Sequence, residues 1–72
     1  MNIHKHDIIK ALTDIYIKYP GGIWKDHFVK KTVFYRVKTE PKNNGNFIAH
    51  DKNGILYHFN CINPDILEVI PA

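Results

Sequence analysis

Two Asn-Gly dipeptides, Asn44-Gly45 and Asn53-Gly54, constrain this chain more than any other feature. Both residue types reach positive φ readily, and Asn-Gly between alternating apolar segments is the strongest short-range signal of a tight antiparallel hairpin. The flanking segments fit. Thr32 to Thr39, Asn46 to Lys52 and Ile55 to Ile62 read as strands, and Leu67-Glu68-Val69-Ile70 reads as a last short strand after an Asn63-Pro64-Asp65 turn. A two-residue loop in each hairpin places Ile48 opposite Phe59, His50 opposite Tyr57 and, on the other side, His50 opposite Thr39. The period of two then fixes two faces. Val33, Tyr35, Val37, Ile48, His50, Ile55, Tyr57, Phe59 and Cys61 form the more apolar one, expected to meet the core. Phe34, Arg36, Lys38, Phe47, Ala49, Leu56, His58 and Asn60 form the other.

The N-terminal segment reads differently. Ile8, Ala11, Leu12, Ile15 and Tyr19 recur at i, i+3, i+4 spacing, which predicts an amphipathic helix over residues 3–19 with Ile17 pointing away from its stripe. Asn2 is its expected cap, Asp7–Lys10 and Asp14–Lys18 its ion pairs, and Pro20-Gly21-Gly22 its stop. Residues 23–31 read as an irregular crossing with a short strand. The expected class is therefore α+β: an N-terminal helix packed on a small antiparallel meander, with the β-rich part over about 29–70 and one domain over 1–72.

Three meander strands, a short Pro-containing turn and a final short strand resemble an SH3-like small barrel, in which a single helical turn links the last two strands. The resemblance covers roughly residues 30–70 and rests on the hairpin spacing and on Asn63-Pro64-Asp65-Ile66. It implies a fold and no particular activity, since such folds host many unrelated functions. An open antiparallel sheet with the helix on one face is the alternative architecture.

Size and composition narrow the function classes. A chain of 72 residues leaves little room for a ligand pocket of several hundred Å³. No Gly-rich phosphate loop, GxSxG elbow or HExxH occurs, and the carboxylates show no paired spacing suited to acid–base work. Cys61 is the single cysteine, so no internal disulfide forms, and a reducing compartment is favoured. His58 and Cys61 stand three apart, which on a strand points them to opposite faces and argues against a shared metal. Neither an apolar leader nor a membrane-spanning run is visible. The expectation is a non-enzymatic, cytoplasmic protein of a cell or an infected host, with no cofactor and no metal.

What remains is surfaces. Net charge is +3, yet nine of the ten basic residues are Lys and Arg36 is the one Arg. Ile, Lys and Asn together exceed a third of the chain, a bias that AT-rich codons produce without any binding role. The first expectation is a module that docks on a larger protein, fitting a phage or mobile-element accessory or inhibitory protein. Trp24 leads its surface, because Trp is enriched in interface hot spots, and Tyr16, Ile17 and Phe28 extend it. The alternative is nucleic-acid binding through the less apolar sheet face, where Phe34 and Phe47 would stack bases while Arg36, Lys38 and His58 neutralise phosphates. A third possibility is a homodimer formed by adding one edge strand to another.

Overall fold

The computed structural model describes residues 3–18, 26–59 and 64–72. Within them the regular structure is nearly all β: β1 (Ile8–Ala11), β2 (Ile15–Ile17), β3 (His27–Val29), β4 (Phe34–Val37), β5 (Phe47–His50), β6 (Leu56–Phe59), a 3-10 turn (Pro64–Ile66) and β7 (Leu67–Ile70). Five strands form one sheet in the order β6-β5-β4-β1-β7, and β2 and β3 form a second. Every pairing is antiparallel. The Cα radius of gyration is 11.1 Å, close to the roughly 11 Å expected of a folded chain this long. The molecule is small, compact, β-rich and barrel-like.

The expected helix over residues 3–19 is absent, and the class is not α+β. Ile9 and Ala11 are buried while Ile8 and Lys10 lie on the other face; Ile15 and Ile17 are buried while Tyr16 is exposed. That is period two, broken by Leu12-Thr13-Asp14 between two short strands. The helical reading needed Leu12 in the core, and the structure leaves it 55% exposed. The ion pairs assigned to that helix have other partners. Asp14 accepts a hydrogen bond from the Lys31 N–H, and Asp7 accepts from the His4 and Ala72 N–H groups. The physical reason is side-chain shape. Ile8, Ile9, Thr13, Ile15 and Ile17 are β-branched, stiff at χ1 and better accommodated on a pleated surface. Short strands with one-sided burial leave enough i, i+3 and i, i+4 coincidences to imitate a helix. Asn2, Tyr19 and the Pro20-Gly21-Gly22 stop fall outside the described residues.

From β4 onward the meander stands as expected, with a 3-10 turn before β7. Its registers do not. Phe47 pairs with Phe59, Ile48 with His58, Ala49 with Tyr57 and Arg36 with His50. Both hairpin loops hold three residues. The Gly45 N–H donates to Lys42 O (2.8 Å) and the Lys42 N–H to Asn46 O (2.9 Å). The Gly54 N–H donates to Asp51 O (3.0 Å) and the Asp51 N–H to Ile55 O (3.2 Å). Gly45 and Gly54 sit at φ 86° and 79°, closing each turn in the left-handed conformation that three-residue hairpins require. An odd loop keeps odd-numbered residues on one face through all three strands. So β4 and β6 present the expected faces, but β5 is inverted: Phe47 and Ala49 are buried, and Ile48 and His50 face outward. Near the first loop the Lys38 and Thr39 N–H groups both point to Ile48 O (2.7 and 3.3 Å), the two-against-one arrangement of a bulge.

The inner faces of both sheets meet in a single core of Ile9, Ala11, Ile15, Ile17, Val29, Tyr35, Val37, Phe47, Ala49, Phe59 and Leu67. Three aromatic rings dominate it. Phe47 and Phe59 stack at 4.9 Å, and Tyr35 meets Phe59 edge-on at 5.8 Å. Asp7 is the buried charged residue among those described. It closes the His4–Asp7 turn, in which His6 adopts φ 77°, a conformation that costs a non-glycine residue roughly 1–2 kcal/mol.

Candidate functional site

The even-numbered residues of the five-stranded sheet point away from the core. The strand registers align Leu56, His50, Arg36, Ile8 and Ile70 in one row across that outer face. A second row runs from Phe34 through Lys10 to Glu68. Phe34 is 53% exposed, and the Lys10 ammonium lies 5.7 Å from its ring centroid. Arg36 is exposed, and its Nη1 donates to His6 O at 2.8 Å, which fixes the guanidinium beside the His4–Asp7 turn. Lys38 is exposed at the far end of β4.

These residues border two adjoining hollows, together called the trough below. One hollow of about 460 Å³, an open surface groove larger than the chain's length suggests, is lined by Lys5, His6, Arg36, Lys38, His50 and Leu56, with Val37 and Gly54. A smaller one of about 170 Å³ shares Arg36 and His50 with it and leads on to Phe34 and Lys52. Asp51 borders only the smaller hollow of these two, and its charge is engaged by the β5–β6 loop. Its carboxylate accepts hydrogen bonds from the Asn53 and Ile55 N–H groups and from the Tyr57 hydroxyl. Burial alone would raise its pKa, but those three donors, with the charge of neighbouring His50, outweigh it and hold the carboxyl below its ordinary value.

Sequence reasoning found some of these residues and missed others. Phe34, Arg36 and Lys38 share the exposed face, as expected. Phe47 does not: it is 4% exposed and belongs to the core, because the odd hairpin loops turn β5 over. His58 lies on the outer side opposite Ile48 and is half-buried. Its pKa is lowered, first by burial and then by the Lys42 charge. Lys5, His6 and Lys10 were hidden by the assumed helix, and His50 by the assumed register. The one local sign was polar Lys10 between Ile9 and Ala11, and it bears on none of Lys5, His6 and His50.

The lowered His58 value has a sign. The unfolded chain takes up this proton near the ordinary histidine value of about 6.5, before the folded chain does. The associated stability is therefore fully present above about pH 6.5 and is lost as pH falls towards the lower folded-state value. Urea midpoints at about pH 7.5 and 5.5 should drop more on acidification in the parent chain than in His58→Gln. An equal drop in both would show that His58 keeps its proton equally well folded and unfolded.

The expected protein-docking residues divide. Tyr16 and Phe28 face each other across the β2–β3 pair and stay 61% and 51% exposed, their ring centroids 6.4 Å apart. The Tyr16 hydroxyl donates to Asp26 Oδ2 at 2.9 Å, which raises the Tyr16 pKa. Ile17 is 3% exposed and belongs to the core, since β2 buries its odd positions. Trp24 and Cys61 lie outside the described residues.

Among the described residues no cluster of three or more His, Cys, Asp or Glu side chains is placed to hold a metal ion, and no helix is long and apolar enough to cross a membrane. What the trough offers chemically is cationic, imidazole and aromatic contact on one sheet face. No protein-family model matches this chain, and neither a curated protein nor a solved structure matches it.

Proposed function

We propose that this chain is a non-enzymatic binding module whose ligand is single-stranded nucleic acid, laid along the outer face of the five-stranded sheet. The observation that carries this reading is the pair of adjoining hollows, sharing Arg36 and His50, that set exposed Phe34 and Lys52 in one beside Lys5, His6 and Lys38 in the other. Non-specific single-strand binders combine a cationic groove that follows the phosphates with aromatic rings on which bases stack. Paired bases in a duplex hide their faces, so Phe34 favours a single strand. The scaffold reading that accompanies this is an SH3-like small barrel, supported by the β4–β6 meander and the 3-10 turn before β7.

The test is fluorescence anisotropy of a labelled thymidine oligomer, with duplex DNA of the same length alongside. Four phosphate contacts, from Lys5, Arg36, Lys38 and Lys52, give a loss of about fifty-fold between about 50 and 200 mM salt. Phe34→Ala should weaken binding by about 1–3 kcal/mol, the worth of one stacked base, without changing the fold. A Phe34→Ala protein that binds as tightly as the parent would sink the stacking role.

A second reading, docking on a larger protein, is favoured by the exposed Tyr16–Phe28 pair on the outer side of the two-stranded sheet. Absence of nucleic-acid binding at both salt concentrations would make it the leading one.

A further inference from the structure

Charge is not spread evenly along the trough. Three permanent cations, Lys5, Arg36 and Lys38, converge on the 460 Å³ hollow together with His6 and His50, and no carboxylate is among the residues that line it. Beside Lys5, the Glu40 carboxylate accepts from the Lys5 backbone N–H at 3.2 Å and lies 3.6 Å from His4 Nδ1. Asp51, the acid beside His50, accepts three hydrogen bonds within the β5–β6 hairpin and also interacts with His50 through its charge, so the hollow's net positive charge rests on Lys5, Arg36 and Lys38.

Two side chains of the hollow, Arg36 and His50, are held in place. One guanidinium N–H of Arg36 is fixed on His6 O, which leaves four to point elsewhere. His50 Nδ1 lies 3.0 Å from Asp51 O and donates to it, so Nε2 donates to a phosphate only in the protonated ring, and Lys5, Arg36 and Lys38 are the hollow's permanent donors. The turn that places Lys5 and His6 is closed by the Asp7 N–H on His4 O and holds His6 at φ 77°. Strained backbone of this kind persists where its surroundings over-determine it, and it concentrates at ligand clamps.

An internal phosphodiester carries one negative charge and calls for one cation. A terminal phosphomonoester has a second pKa near 6 and is close to a dianion at neutral pH. The surplus of cations over one hollow therefore matches the end of a strand better than its middle. Position agrees. Phe34 opens β4 and Lys38 is the residue just after it, roughly 13 Å away along an extended chain. A strand stacked on Phe34 thus has the hollow within reach of its end.

We infer that the Lys5–His6–Arg36–Lys38–His50 hollow is a phosphomonoester subsite that receives the phosphorylated end of a single-stranded nucleic acid. This rests on the single-strand reading given above.

The experiment compares thymidine decamers carrying a 5′-phosphate, a 3′-phosphate or neither, each labelled at the opposite end, at pH 7.5. One phosphorylated end should bind about tenfold more tightly than the matching hydroxyl end, the effect of one added charge-assisted hydrogen bond. In Lys38→Gln, an exposed position whose substitution spares the fold, that ratio should fall towards one. The ratio is the readout, since loss of any lysine lowers affinity in general. Equal affinities at both kinds of end, with binding intact, overturn the subsite and leave strand binding standing. No binding by any decamer overturns both. Thymidine 5′-monophosphate, added as competitor, distinguishes the source of the phosphate. Displacement of the decamer at equal concentration would identify a mononucleotide ligand and overturn the strand-end assignment.

Discussion

Phe59→Ala will cost about 3–5 kcal/mol of stability, the range for removing a fully buried aromatic ring. Phe59 is 1% exposed, stacks on Phe47 at 4.9 Å and meets the edge of Tyr35 at 5.8 Å. Its loss therefore opens a cavity against two other rings, which themselves hold β4 and β5 in register. Such rings contribute about 0.5–1.5 kcal/mol beyond their buried area. A chain of this length has only about 4–11 kcal/mol in total, at the usual contribution per residue. The variant is expected to unfold at much lower urea concentration and to lose near-ultraviolet dichroism. Phe34→Ala is the internal comparison: an exposed ring on the opposite face, expected to change stability by no more than about 0.5 kcal/mol. If the two variants proved equally stable, the face assignment of the whole meander would be wrong.

That comparison also locates what sequence alone conveys here. Positions of the turns were legible, because Asn-Gly has a local conformational cause that no tertiary contact is needed to reveal. The final strand was legible because Pro64 and the apolar run after it bound it on both sides. Loop length was not legible. Asn44-Gly45 and Asn53-Gly54 serve equally as the two residues of a tight loop or as the last two of a three-residue loop, and one residue of difference reverses a strand. Phe47 is the casualty: it belongs to the stacked core and not to the basic face. Ile17 failed for a related reason. Read at a period of 3.6 it stands opposite the apolar stripe, and read at a period of two it stands in the core beside Ile15.

The candidate surface was legible in its ingredients and not in its assembly. A net charge of +3 says nothing about where the charge lies. The strand order β6-β5-β4-β1-β7 brings Lys5 and His6 beside Arg36, across about thirty residues of sequence, and no local pattern encodes that approach. Tyr16 and Phe28 read in the sequence as separate extensions of a surface around Trp24; what sets them opposite each other is the β2–β3 register and not a helical face.

The turn that carries Lys5 and His6 makes the second large expectation specific to one side chain. Asp7 is 6% exposed, and its two carboxylate oxygens accept from the His4 N–H at 3.0 Å and from the Ala72 N–H at 3.1 Å. Its backbone continues the β1–β4 ladder through the Val37 N–H on Asp7 O at 2.8 Å. Asp7→Ala removes a buried acceptor from two backbone donors at once. Hydrogen bonds to charged groups contribute about 1.5–3 kcal/mol each and are not additive when they share one carboxylate, so a loss of about 2–4 kcal/mol is expected. Asp7→Asn keeps one carbonyl oxygen for one of the two donors and should fall between the parent and the alanine variant. Urea midpoints of the three proteins measure it. The order parent, Asn, Ala supports an anchoring carboxylate; an Asn variant as unstable as Ala would mean that the charge itself, and not the count of acceptors, holds the turn. Because His6 O also fixes Arg36, loosening this turn should weaken nucleic-acid binding in the same order as stability falls. A variant destabilised at Asp7 yet unchanged in affinity while still folded would separate the hollow from the turn that frames it.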